Sequence, residues 1–279
     1  MSNGKVIFAY LLYVAFVAVV PGLAFEHWIA YAAGAAVAIA WWSVASVVGD
    51  SILLKTIKAE PLNIVTYGEI AKIVTSRRPD LRMGIPSLWI VNNLSPMAMS
   101  IGLNAKKSHI VVTRGFLQGL DDKVHLAIVV REMEAVRSGR TSARTAIATL
   151  LWILLLPGRL GNWVTGKESG EPTALSVILN LIPAFIAAFF VIITADKSAV
   201  YEVDRNAQKQ LENPDYLPYA FLKLQDSVLA LPYNVDLALA PCCVINPNSR
   251  DPFSVLFKPH PTTPKRIERL RPRIGLLRR

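Results

Sequence analysis

Cysteine is nearly absent from the 279-residue chain, and the two that occur, Cys242 and Cys243, are neighbours. Adjacent cysteines have poor geometry for a structural disulfide, and two free thiols fit a reducing cytoplasm. Zinc-finger spacing, an aromatic RNA-binding strand and a helix-turn-helix signature are all missing, so the net charge of +10 does not read as a nucleic-acid interface. Attraction to anionic lipid is the simpler account of that charge. Internal repeats and low-complexity linkers are absent too. Histidine is scarce: there are four, and no two lie one helical turn apart.

What is plentiful is hydrocarbon. A 53% hydrophobic content with positive mean hydropathy exceeds that of an ordinary soluble protein. Val6 to about Phe25 and Ile29 to about Val48 each approach the ~20 apolar residues that cross a bilayer, and the short connection with Pro21, Gly22, Glu26 and His27 makes them a transmembrane hairpin. A cleaved signal peptide is the alternative for the first, but its n-region has only Lys5 and a second span follows at once. Thr145 to Leu156 stops at Pro157, Gly158 and Arg159, and fits a re-entrant or buried helix unless it continues toward Trp163. Leu175 to Ala195 is long enough to span, and pairs with it as a second hairpin.

Orientation follows from the basic residues. Lys55, Arg77, Arg78, Arg82, Lys106, Lys107, Arg131 and Arg144 lie in the segment between the hairpins, whereas the first connection has no Lys or Arg and the second sets Arg159 and Lys167 against Glu168 and Glu171. The positive-inside rule puts both termini and the main polar segment of this multi-pass chain in the cytoplasm. The tail from Lys265 to Arg279 either lies on the membrane surface or is a solvated basic helix.

Within the polar segments, Pro61 to Ser76 has the spacing of an amphipathic helix. Ser87–Val91, Pro96–Ile101 and His109–Thr113 read as strands of a small antiparallel sheet. Asp121 or Asp122 caps a helix that runs through Glu132 to about Ser138 and ends at Gly139. The fourth hydrophobic block continues into a helix over Val200 to Leu211; Pro218 to Leu229 and a segment starting at Thr263 are further helices. The expected divisions are 1–49 (hairpin), 50–144 (sheet and central helix), 145–195 (second hairpin) and 196–279 (helices and closing loop).

The central helix carries the sequence VVREMEAVR, Val129 to Arg137. A zinc peptidase needs H-E-x-x-H at such a place: two imidazoles one turn apart facing one ion, with a Glu between them to deprotonate the metal-bound water. Here the base position holds Glu132, but the flanking positions hold Arg131 and Ala135.

Four ordered pieces resemble the HtpX-like membrane zinc metallopeptidases, relatives of the CAAX prenyl proteases. They are PMAMSIGLNAKKSHIVVTRGFLQGL (Pro96 to Leu120), the helix LDDKVHLAIVVREMEAVRSGR, the segment VYEVDRNA, and LFKPHPTTPKRIERL (Leu256 to Leu270). The third is similar to E-x-x-A-D-x-x-A, whose Glu supplies the third zinc ligand and whose Asp supports it. The resemblance implies a zincin-like cytoplasmic domain with zinc as the family cofactor, and every departure falls on the chemistry. Arg131 and Ala135 stand where the family has His, Val200 where it has the ligand Glu, and Glu134 where it has Gly; Glu132 and Asp204 alone match. No cofactor is therefore expected.

Removing a divalent ion from a site that retains carboxylates leaves unbalanced buried charge. Arg131 is the expected replacement, pairing with Asp204 and with Glu202 or Glu134; otherwise it faces solvent or lipid headgroups. His125, His109, His27 and His260 are read as packing or surface residues. Met97, Ala98 and Met99 occupy the edge strand that in the family takes a substrate peptide, or simply pack in the core. Ala30, Gly34 and Ala38 form a small-residue ridge suited to close helix packing.

The fold class expected is an α+β integral membrane protein, mostly helical, with two transmembrane hairpins and a small sheet-bearing domain. The function expected is a catalytically inactive peptidase homologue, a scaffold, subunit or regulator of a membrane complex, with the bilayer and membrane proteins as partners. One alternative is an active membrane zinc metalloendopeptidase with unusual ligands in protein quality control. Another is a metal-free enzyme using Glu132 and Asp204.

Overall fold

The structure, a computed structural model, describes residues 3–63, 66–76, 84–165, 173–232, 234–247 and 251–270. Arg77, Arg78, Arg82, Lys167, Glu168, Glu171 and the tail beyond Leu270 lie outside the described residues. The chain opens with two helices, α1 (Asn3–Phe25) and α2 (Trp28–Thr56), joined at Glu26 and His27. The His27 side chain caps α2 by accepting from the Ile29 N–H at 3.2 Å. Their contact explains the small-residue ridge. A Cβ added to Gly34 would sit 2.3 Å from the Val17 carbonyl oxygen, so the two backbones touch, and Ala38 is buried beside Ala9, Tyr10 and Tyr13. The partner of the ridge is thus α1.

α2 runs past the apolar stretch until Leu53 and Leu54 join the core of the polar half. That core is built on a four-stranded sheet of β1 (Glu60–Pro61), β2 (Ser87–Val91), β3 (Ala98–Asn104) and β4 (Lys107–Thr113), in the order β1-β2-β4-β3. The antiparallel expectation is corrected here: β2 pairs with β4 in parallel, from Ser87 opposite His109 to Val91 opposite Thr113, while β3 pairs with β4 antiparallel. After β2 the chain crosses to the far edge, and the β3–β4 hairpin turns at Asn104, whose Oδ1 accepts from the Lys106 and Lys107 N–H groups at 3.0 and 2.8 Å. β4 then returns through the middle. Side-chain alternation reports which face a residue occupies and says nothing about which strand is its neighbour. Pro61, which has no N–H to give, sits on the outer strand, where its missing donor costs nothing; the expected helix from Pro61 is accordingly shorter, α3 (Gly68–Ser76).

After the short α4 (Arg114–Gly119), α5 (Asp122–Arg137) packs on the sheet, on α9 and α10, and is buried over nearly its whole circumference. Asp121 caps it by accepting from the Val124 N–H at 3.0 Å, and Gly139, at φ +71°, supplies the left-handed turn into the next helix. The third hydrophobic stretch is two helices, α6 (Arg140–Leu154) and α7 (Leu156–Val164), bent by 54° at Leu155, with Pro157 in the first turn of α7. α6 carries threonines at every fourth position toward its neighbours. Thr141 bonds Ser100 at 2.8 Å, Thr145 accepts from the Gly102 N–H at 2.9 Å and Thr149 meets the Tyr10 hydroxyl at 3.0 Å, tying sheet and first hairpin to one helix face.

α8 (Ala174–Thr194) packs against α6 and α7, and α9 (Lys197–Gln208) follows. The expected continuous helix through this junction is broken: Ala195 leaves the helical conformation and Asp196 caps α9 afresh by accepting from the Ala199 N–H at 3.2 Å. α10 (Tyr216–Ala230), a 3-10 turn at Leu237–Cys242 and α11 (Thr263–Leu270) complete the fold. Among the described residues, α2 and α8 are each long and apolar enough to cross a membrane, the α6–α7 pair adds a third only as one bent span, and the apolar part of α1 is shorter, at Gly4–Val19.

Gly34→Leu is expected to force α1 and α2 apart at a cost of about 1–3 kcal/mol. A lowered Tm of the detergent-solubilised protein, set against no change for Val37→Ala at an exposed position of the same helix, measures it.

Candidate functional site

Three helices deliver the polar residues of the interior. α5 supplies Arg131 and Glu132, α9 supplies Asp204 and α11 supplies Arg266; all four side chains are within 1% of complete burial. Asp204 is the hub. The Arg266 guanidinium grips it with two hydrogen bonds, Nε to Oδ2 at 2.7 Å and Nη2 to Oδ1 at 2.8 Å, and the Arg131 Nε donates to Oδ1 at 3.2 Å. Arg131 Nη1 also donates to Glu132 Oε1. Arg266 is fixed further by its bond to the Val244 carbonyl at 2.6 Å and by the Phe221 ring, whose centroid lies 3.9 Å from Cζ. Planar, forked guanidiniums suit such multiple contacts better than a Lys ammonium does.

Burial alone would raise the Asp204 pKa; Arg266 and then Arg131 outweigh it and hold the carboxyl below its ordinary range. Burial likewise works against the Arg131 charge, and Glu132 followed by Asp204 overcomes it, so the guanidinium is held more firmly protonated than usual. His260, packed at the margin of the cluster, is pushed well below the usual imidazole range by burial, with Arg144, Arg266 and Arg131 adding to it, and is neutral at pH 7. Burial pushes the Cys242 thiol up to about 12 and Cys243 well above its ordinary value, so neither is a nucleophile near neutrality.

The residues singled out in the sequence separate into two groups. Arg131, Glu132 and Asp204 converge. Glu134 and Glu202 turn elsewhere: Glu134 accepts from Arg137 at 2.7 and 2.9 Å and from Gln210 at 2.8 Å, while Glu202, mostly exposed, meets Arg140 at 3.2 Å. For Glu202 helical geometry explains this, since two residues before Asp204 it lies about 160° round α9 from it; Glu134 lies only about 60° from Arg131 and is held instead by Arg137, one turn further along α5, and by Gln210. Arg266 and Arg144 carried no functional expectation, and Arg266 stands in the quoted RIERL run; the available signal was an arginine in an otherwise amphipathic helix. His125 Nε2 donates to the Phe116 carbonyl at 2.8 Å, and His109 Nδ1 accepts from the Trp89 indole N–H at 3.1 Å, both as packing residues.

Met97, Ala98 and Met99 are fully buried. The outer side of β3 is already engaged: the Ala98 carbonyl accepts from the Val244 N–H at 3.0 Å, Met99 bridges Cys243, and α6 covers Gly102. An added peptide strand would have to displace these contacts.

Zinc binding needs three or more N, S or O donors converging within about 2.0–2.3 Å of one point. Ala135 and Val200 are buried hydrocarbon, Arg131 is a cation committed to two carboxylates, and among the described residues no three His, Cys, Asp or Glu side chains are grouped to hold an ion. This donor set does not fit zinc.

The sequence model of peptidase family M48 matches residues 83–274. A "Protease HtpX homolog" of Acidiphilium cryptum is 27% identical over 260 residues, covering 89% of this chain and 90% of that protein. One from Pyrococcus furiosus is 28% identical over 230 residues, covering 80% and 79%, and "Protease HtpX" of Legionella pneumophila is 25% identical over 231 residues, covering 80% and 81%. No solved structure matches the chain.

Asp204→Asn leaves two buried guanidiniums without their shared anion and is expected to cost about 3–5 kcal/mol, read as a lower Tm. Because the folded pKa of Asp204 is depressed, its contribution is complete above the unfolded value of about 3.9 and is lost as pH falls through the lower folded value. The wild-type protein should therefore lose stability on acidification below about pH 4, and Asp204→Asn should lose the part of that dependence due to this residue.

Proposed function

The chain belongs to peptidase family M48 as an HtpX-like member, and from that membership we propose that it is a membrane pseudopeptidase whose role is to bind and organise other membrane proteins. The carrying observation is Arg131, whose guanidinium joins Glu132 to Asp204 at the position where H-E-x-x-H would place its first His. In a working member of the family zinc would lower the pKa of its bound water from about 15.7 to about 7 and polarise the scissile carbonyl. Here Glu132, the would-be base, is buried and its Oε1 is engaged by the Arg131 guanidinium.

The ion cluster supplies what a structural metal supplies, a fixed joint between α5 and α9, and extends it to α11 through Arg266. A rigid domain anchored by apolar helices is suited to act as a subunit, scaffold or regulator of a membrane complex. Both termini and the polar domain are assigned to the cytoplasm by their excess of Lys and Arg.

Protein purified from membranes without chelators is expected to contain zinc at background level, and to leave casein intact whether residue 132 is Glu or Gln. Stoichiometric zinc, or a cleavage product that disappears both with chelator and in Glu132→Gln, would show a working peptidase instead.

A further inference from the structure

The buried cluster is not electrically balanced. Asp204 is taken by Arg266 and Arg131, and Glu132 Oε1 by Arg131, while Glu132 Oε2 meets no hydrogen-bond partner. A third guanidinium, Arg144 of α6, is only 6% exposed and lies within electrostatic reach of that cluster, yet no carboxylate among the described residues is within ion-pair distance of it and its Nη1 meets no hydrogen-bond partner. An isolated buried guanidinium is costly enough that proteins normally supply a counter-charge.

Arg144 lines a small, partly open pocket beside the cluster. His260 lines it too, and neither of its ring nitrogens has a partner of hydrogen-bonding geometry, although the Ala240 carbonyl lies close enough to favour its protonated form slightly. The other two charged groups lining the pocket pair with each other, Arg140 lying 3.8 Å from Asp196, and Arg140 also reaches Glu202 outside the pocket at 3.2 Å. Arg144 is the lining cation with no ion pair among the described residues. The rest of the wall is largely hydrocarbon, including Ile147 of α6 and Val191 of α8, and the pocket sits at the last turn of α8, where the apolar span gives way to the polar domain.

A buried cation without an ion pair, a polar ring beside it and apolar walls at the end of an apolar helix together describe a receptor for an amphiphile. We propose that this pocket binds the head of an acidic lipid, its oxyanion paired with Arg144 and hydrogen-bonded by His260, its chain leaving the pocket along the exposed apolar side of α8 at Phe189 and Ile192. Phosphate and carboxylate heads share the chemistry, since a guanidinium receives either through paired N–H donors. The proposal uses the charge count and the cavity, and is independent of whether the protein hydrolyses peptides.

The full-length protein in detergent is incubated with dioleoylphosphatidylglycerol, oleate, dioleoylphosphatidylcholine or inorganic phosphate, and followed by native mass spectrometry and by Tm. Expected are a one-to-one adduct and a raised Tm with phosphatidylglycerol or oleate, preferred about tenfold over phosphatidylcholine, with the source of the head read from which of the two binds better. Arg144→Met should abolish the preference while keeping or raising the lipid-free Tm, and Arg144→Lys should retain part of it. Equal retention of phosphatidylcholine by the wild-type protein would overturn the proposal without recourse to any variant. So would inorganic phosphate raising the Tm as much as the lipids do, or an undiminished preference in a folded Arg144→Met protein.

Discussion

Asp204 accepts hydrogen bonds from two guanidiniums that reach it from different helices, and the polar half of the molecule closes around that contact. α5, α9 and α11 are distant in sequence, and apolar packing alone would allow each to slide or rotate against the others. A carboxylate with only two oxygens, clasped bidentately by Arg266 and from the side by Arg131, tolerates little such movement. Desolvating these groups is expensive, and the expense is met only when all are present in register. The arrangement therefore specifies one relative placement of the helices more than it adds net stability.

The sheet and the apolar helices are joined to this centre by a different kind of contact. The threonines of α6 bond β3 and Tyr10 of α1. α2 contributes leucines, Leu53 and Leu54, to the core of the polar half. α2 runs from its apolar stretch into that core unbroken, whereas α6 and α7 are bent apart by 54° and α8 and α9 are separated at Ala195 and Asp196. That break lies where Arg144, His260 and the end of α8 enclose the pocket.

Hydrophobic blocks, capping residues and breakers were readable because they act locally. Asp121 and Gly139 bound α5 as their chemistry requires, and the third apolar stretch bends at Leu155, with Pro157 in the first turn that follows. The small-residue ridge was readable as a packing surface, but its partner was not, because Gly34 signals a close approach without saying to what. The strands β2 and β4 were both legible while their parallel pairing was not, since pairing depends on the path of the chain between them. Arg131 was readable as a cation in need of an anion. Choosing among Asp204, Glu202 and Glu134 required the rotation of two helices about their axes, and Glu132, adjacent in sequence, was reached only because a long side chain can fold back across its own helix.

The sequence by itself determined where the apolar blocks lie, which short runs form the sheet, and that Arg131, Ala135 and Val200 offer no zinc donor, because composition, periodicity and side-chain chemistry are properties of single residues or short runs. The tertiary structure alone decided that Arg266 is the principal partner of Asp204, that the outer side of β3 is engaged by Val244 and α6, and that Arg144 is buried with no carboxylate at ion-pair distance among the described residues. Each of these is a relation between segments far apart in the chain, and electrostatic balance in a low-dielectric interior is settled by which charges end up within a few ångströms of one another, whatever their order in sequence.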